Sequence, residues 1–210
     1  MSKSKVEKVL VTGAEGALGR FLVCDLVRRG YDVVGSCFTE SAVADMQQHE
    51  NSALGYVATD LGDPEAVKNL SEVTREKFGG VDAVVHAAGG FRYTAIEKAS
   101  AKEFDFLVNA NWKSALLVSQ YFLPQMREQN FGRLVFMSSR TADDAGAGMG
   151  LYAGSKLALN ALIVSLAKEL KDTGITINAV APTIIDTPAN REAMPDADTS
   201  KWVTRRHIME

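Results

Sequence analysis

A chain of 210 residues, 46% of them hydrophobic, has the size of one domain and enough apolar content for a single core. Its formal net charge of -3 argues against nucleic acid or an anionic membrane surface as the main partner. Two cysteines without metal-type spacing, Cys24 and Cys37, and three scattered histidines point to no structural metal and to a reducing, cytoplasmic setting.

In chain order, the polar stretch Met1 to Lys8 alternates in charge and leads straight into a strand, unlike a signal peptide, and no apolar run approaches the ~18 residues of a membrane span. Lys8 to Thr12 is predicted as a buried parallel strand. Thr12-Gly13-Ala14-Glu15-Gly16-Ala17-Leu18-Gly19 follows as a glycine-rich turn, and then a helix from Arg20 to Arg29. In that context glycines let the backbone approach a pyrophosphate, whose charge a helix N-terminus stabilises. Asp32 to Cys37 is the second strand. The residue at its end reads the adenosine ribose: an acid binds its hydroxyls, a base binds a 2′-phosphate. Cys37, Phe38 and Thr39 supply neither.

Ser41 to His49 is predicted helical, and Leu54 to Thr59 is a third strand ending at Asp60. Asp63-Pro64-Glu65 starts a helix that runs to Phe78 and stops at Gly79-Gly80. Val81 to His86 is the fourth strand, and Ala88-Gly89-Gly90 after it leaves room for a ligand against the backbone. His86 reads as a strand-end histidine bonded to neighbouring backbone. Ser100-Ala101-Lys102-Glu103 is a capping box opening a helical stretch to Gln129, with a kink expected at Asn109 and Asn111. Gly132 to Met137 is the fifth strand, and Ile175 to Ala181, closed by Pro182, is the sixth.

Between these two strands lies the stretch with chemistry in it. Tyr152 and Lys156 are one turn apart on a helix starting near Leu151, and a loop brings in Ser139. An ammonium beside the phenol is expected to lower its pKa, making Tyr152 a proton donor and acceptor beside a substrate oxygen held by Ser139. The same helix is apolar on nearly every side, which implies a subunit contact as well as a sheet contact.

Alternating strands and helices predict a single-domain, doubly wound parallel sheet of Rossmann type, three layers α/β/α, with its crevice at the strand C-termini. Gly13, Gly19, Gly89 and Ser139 all fall at those ends.

From Val9 to about Trp202 the chain resembles the short-chain dehydrogenases/reductases. Its glycine turn is similar to theirs, with Ala17 where a middle Gly often stands. His86-Ala87-Ala88-Gly89 resembles their Asn-Asn-Ala-Gly segment, with both asparagines replaced. Asn111, Ser139, Tyr152 and Lys156 fall where their catalytic tetrad lies, Ser139 and Tyr152 thirteen residues apart. The resemblance implies Tyr152 as general acid/base, Lys156 as its pKa-lowering partner and a ribose ligand, and Ser139 as ligand of the substrate oxygen. It implies Asn111 as holder of a relay water. A nicotinamide dinucleotide would lie against Gly13, Glu15, Gly16, Ala17, Leu18 and Gly19, against Asp60 and Leu61 near the adenine, and against Ala88, Gly89 and Gly90. Pro182 belongs to the same set, and the Ile185 backbone and Thr187 would meet the carboxamide. No carboxylate at position 37 repels a 2′-phosphate, and Ser36, Thr39 and Ser41 offer hydroxyls, so the expectation leans to NADP(H) over NAD(H).

The implied activity is hydride transfer between the cofactor and a small-molecule carbonyl or alcohol. Asp186-Thr187-Pro188, Asn190-Arg191 and Trp202 are similar to the dihydropteridine reductase branch, so quinonoid dihydropterin reduction is the alternative substrate. A non-catalytic NAD(P)-sensing regulator is the alternative of another class. Residues 187–202 read as a substrate lid. The family's usual seventh strand has no counterpart, so the sixth is expected at an open edge of a truncated chain, and a homodimer through the helices bearing Asn111 and Tyr152 is expected.

Overall fold

Two apolar registers alternate along the strands and separate the two faces of the sheet. In the first strand Leu10 belongs to one core cluster and Val9 and Val11 to another. The computed structural model describes residues 5–49 and 53–209; the polar stretch Met1 to Lys8 thus falls partly outside them. The strands are β1 (Lys8–Thr12), β2 (Asp32–Cys37), β3 (Gly55–Ala58), β4 (Ala83–His86), β5 (Gly132–Met137) and β6 (Ile175–Val180). All neighbours pair in parallel, in the order β3-β2-β1-β4-β5-β6. The doubly wound sheet expected from the alternation is therefore observed, with β6 at an edge among the described residues.

The helices are α1 (Ala17–Arg28), α2 (Glu40–His49), α3 (Pro64–Phe78), α4 (Ala101–Val108), α5 (Ser114–Glu128), α6 (Gly150–Glu169) and the short α7 (Pro188–Ala193). One core cluster joins α3, α5 and the inner side of α6 to the sheet through Leu70, Phe122 and Leu159. The other packs α1 and α2 on β1 to β3 through Leu22, Val23 and Met46.

Three local features place the site. First, α1 begins at Ala17, three residues before the expected Arg20, so Ala17, Leu18 and Gly19 form its first turn. Gly16 is the extended residue before it and supplies no side-chain cap, which leaves the first N–H groups without a side-chain acceptor. Second, the helix interrupted at Asn109 and Asn111 contains a π-turn over Asn109–Lys113 between α4 and α5, the form taken by the expected kink. Third, α6 is twenty residues long and apolar, with a mean hydropathy of 1.3 in its 18-residue window, so by length and composition alone it could cross a membrane. Its place is nevertheless a covering layer of the sheet, and it buries Ala153, Ser155, Lys156, Leu159 and Ile163.

Candidate active site

The glycine turn after β1 sets one wall. Gly13 sits at φ +64, and a Cβ there would come within 2.8 Å of the Ala88 Cα. A Cβ on Gly19 would meet the Gly13 carbonyl oxygen at 2.0 Å. Side chains at these positions would push apart the strand ends that must lie close to a ligand. Behind the turn is a cleft of about 490 Å³. It brings together Gly13, Glu15 and Gly16 with Asp60, Leu61, Ala88 and Gly89 from the ends of β3 and β4. The Asp60 carboxylate accepts a hydrogen bond from the Gly62 N–H at 2.8 Å. Two buried polar atoms on the cleft's residues, Glu15 Oε2 and Ser36 Oγ, have no hydrogen-bond partner. A bare glycine cradle, an open helix N-terminus and orphaned polar atoms fit a dinucleotide.

Gly89 connects this cleft to the reactive residues. A Cβ on it would lie 2.8 Å from Asn111 Oδ1 and 3.4 Å from Lys156 Nζ. The Asn111 amide is committed to structure: its oxygen accepts from the Gly90 N–H at 2.9 Å, and its NH₂ donates to the Gly90 carbonyl at 2.9 Å and to Ser155 Oγ at 3.0 Å. Its side chain clamps the loop after β4 to α6, beyond the water-holding role the resemblance implies. Gly90 is thereby held at this clamp, where a Cβ would strike the Phe106 ring.

Lys156 is 5% exposed, and its ammonium donates to the Met137 carbonyl at 2.7 Å. Its Nζ is 5.9 Å from the centroid of the Tyr152 ring. Burial lowers the Lys156 pKa to about 8. Tyr152 moves the other way: burial raises its pKa, and a hydrogen bond with Ser139 opposes that rise. In the chain alone the ammonium is turned to β5, and desolvation governs the phenol. Ser139 ends β5's connection as an extended residue whose hydroxyl accepts from the Thr141 N–H at 3.2 Å.

The surroundings of Tyr152 and of His86 go beyond the sequence expectation. The Phe91 ring packs edge-on to Tyr152, centroids 4.9 Å apart, giving the phenol an apolar neighbour. His86 bonds not to backbone but to two hydroxyls, Thr12 at 2.9 Å and Ser114 at 3.1 Å. No motif signals either contact, since both join residues distant in sequence.

The last group of expected residues follows β6. Pro182 accepts from the Arg140 N–H at 3.0 Å. Ile185 bridges to Val203, and its carbonyl accepts from Asn190 Nδ2 at 2.8 Å. The Thr187 hydroxyl caps α7 by accepting from the Asn190 N–H. Neither Ile185 nor Thr187 lines the cleft; both are engaged with the segment that follows β6, which carries an Arg191–Asp186 ion pair and the buried Trp202.

Comparison with known proteins agrees with this geometry. The sequence matches the family model described as short chain dehydrogenase over residues 7–198. The 3-oxoacyl-[acyl-carrier-protein] reductase FabG of Salmonella typhimurium is 29% identical over 187 residues, covering 89% of this chain and 77% of that protein. The uncharacterized oxidoreductase SSP0419 of Staphylococcus saprophyticus is 29% identical over 183 residues, covering 85% of this chain and 78% of that protein. A crystal structure of a short-chain dehydrogenase from Streptomyces avermitilis superposes with TM-score 0.81 at 28% identity, over 88% of this chain and 68% of that one. ElxO with NADP bound superposes with TM-score 0.88 at 24% identity, over 96% of this chain and 87% of that one, a likeness of fold.

Proposed function

The chain belongs to the short-chain dehydrogenase family, an NAD(P)-dependent oxidoreductase group, and from that premise we propose that it interconverts a small-molecule carbonyl and alcohol with Tyr152 as general acid/base. The observation that carries this reading is that Ser139 hydrogen-bonds Tyr152 and the Lys156 Nζ lies 5.9 Å from the Tyr152 ring, with Lys156 bordering Gly89, a residue of the glycine-walled cleft. A bound nicotinamide supplies or takes up the hydride. Gly13, Gly16, Gly19 and the first turn of α1 hold the pyrophosphate, and Asp60 and Leu61 flank the adenine. Ser139 binds the substrate oxygen. Tyr152, a phenol protonated at neutral pH whose burial further favours that form, gives its proton to that oxygen in reduction and takes it back in oxidation. Lys156, mostly an ammonium below about pH 8, replaces the phenol's proton through intervening hydroxyls or water. Asn111 keeps Gly90 and α6 in register for these groups. Phe91 against Tyr152 favours substrates with an apolar or ring group beside the carbonyl.

The test is turnover on a panel of ketones, alcohols and quinonoid dihydropterins with both nicotinamide cofactors. Tyr152→Phe should lower kcat by about 10²–10⁴-fold, the usual weight of a positioned acid/base, while dinucleotide binding persists. Near-wild-type turnover in that variant overturns the role of Tyr152. Tight dinucleotide binding with no turnover on any substrate favours a nucleotide-sensing regulator instead.

The partner proposed beyond substrate and cofactor is a second copy of the chain. Trp112 and Leu116, beside and on α5, and Leu157 and Val164 on α6 are exposed, and α6 packs against the π-turn that carries Trp112.

A further inference from the structure

We propose that Glu15 selects the cofactor: with Ser36 it forms a subsite at the end of β2 that takes the hydroxyls of an adenosine ribose and turns away a 2′-phosphate, so the chain prefers NAD(H). This deepens, and rests on, the reading of the cleft as a dinucleotide site.

The sequence expectation leaned the other way because position 37 is a cysteine. The structure supplies the acid from another direction. Glu15 lies in the glycine turn, and one carboxylate oxygen accepts the backbone N–H of Phe38 at 2.8 Å. That bond fixes the carboxylate at the end of β2, where the family fold reads the ribose. Its other oxygen, Oε2, is buried without a hydrogen-bond partner, and so is Ser36 Oγ on the same strand end. Both residues line the cleft.

The chemistry of these two atoms restricts what can satisfy them. An ionised carboxylate only accepts, so its partner must bring a proton. Ribose hydroxyls donate, and a hydroxyl can also accept from Ser36. A phosphate ester at neutral pH carries ~1.5–2 negative charges and offers mainly acceptors. Such a group would leave Glu15 unsatisfied and add like charge beside it. Among the described residues that line the cleft are two carboxylates, Glu15 and Asp60, and no Arg or Lys. Arg20, on the next turn, has a charge that reaches Cys37, but it is offset by its ion pair with Asp45 of α2. The thiol of Cys37 reports the same environment, since burial first and the Glu15 charge second push its pKa up to about 12.

The experiment measures binding, by calorimetry, of NADH, NADPH, ADP-ribose and its 2′-phosphate to the wild type, Glu15→Gln and Ser36→Ala, with a thermal melt of each. Glutamine keeps an oxygen for the Phe38 N–H and removes only the charge. The wild type should bind NADH at least tenfold more tightly than NADPH, about 1.4 kcal/mol, and the two fragments should show the same ratio. In Glu15→Gln the ratio should shrink below about threefold, chiefly through tighter NADPH, because the repulsion is gone. Ser36→Ala should weaken NADH and leave NADPH unchanged. Equal or tighter NADPH binding by the wild type overturns the proposal, as does an unchanged ratio in a folded Glu15→Gln. Failure of both dinucleotides to bind the folded wild type overturns the dinucleotide site itself, and is thereby distinct.

Discussion

His86 carries no charge in the folded chain, and its hydrogen bonds say which nitrogen holds the proton. Ser114 Oγ gives its own proton to the Ala110 carbonyl at 2.7 Å, so His86 Nε2 must donate to Ser114. Nδ1 is then the bare nitrogen and accepts from Thr12, whose oxygen in turn accepts from the Ala88 N–H. This chain runs from the loop behind the glycine turn to the π-turn, and a second proton on the ring would break it. Burial, with the charge of Lys156 adding to it, accordingly lowers the His86 pKa to about 3. The sign follows from linkage: the unfolded ring takes up a proton as pH falls below about 6.5, while the folded one does not until about 3. Stability from this group is complete above about pH 6.5 and is lost across that window, at up to about 1.4 kcal/mol per pH unit. Urea unfolding at several pH values should show that slope, and His86→Asn should reduce it. Sequence alone suggested a strand-end histidine but not its partners, because Thr12 and Ser114 lie far from it along the chain. Glu15 was legible as part of the glycine turn, but its contact was not, because Phe38 lies 23 residues away. Ser139, Tyr152 and Lys156 were legible because a loop and one helical turn fix their relative placement.

At the scale of elements, the π-turn between α4 and α5 decides where Asn111 points. One wider turn rotates the following residues relative to a continuous α-helix, and it directs a buried amide onto Gly90 and Ser155. Asn111→Ala should cost about 3 kcal/mol, since it strands buried backbone and hydroxyl groups together. Urea titration checks that figure, and activity should fall with it as the Gly90 loop loosens. The asparagines signalled an interruption because their amides compete with helix bonding. They did not say that the interruption would be a wider turn. Strands β2 and β5 were legible to the residue, since apolar runs bounded by glycine or polar residues leave little choice. The early start of α1 was not, because Gly16 and Ala17 read equally well as turn and as first helical residues. After β6, Pro188 opens the short α7 behind the Thr187 cap, and that helix stops at Ala193.

For the whole molecule, the parallel sheet and its two covered faces followed from the alternation of elements, whereas the exposed apolar face of α6 could be anticipated only as helix composition. If that face joins two copies, Leu157→Glu with Val164→Glu should turn the assembly into monomers by light scattering and leave dinucleotide binding intact, since both side chains are more than half exposed and neither lines the cleft. The strand order also shapes how the molecule is made. On a ribosome β1, β2 and β3 emerge first, and they are neighbours in the finished sheet, so half of it can assemble before the rest exists. But β1 is central, and the partner for its other edge is β4, which arrives only after α3 has been synthesised. Until then the nascent chain displays a bare, apolar strand flank. That interval is the point of greatest exposure to wrong pairing, and it closes when Val84 and Val85 come into register with Leu10 and Val11.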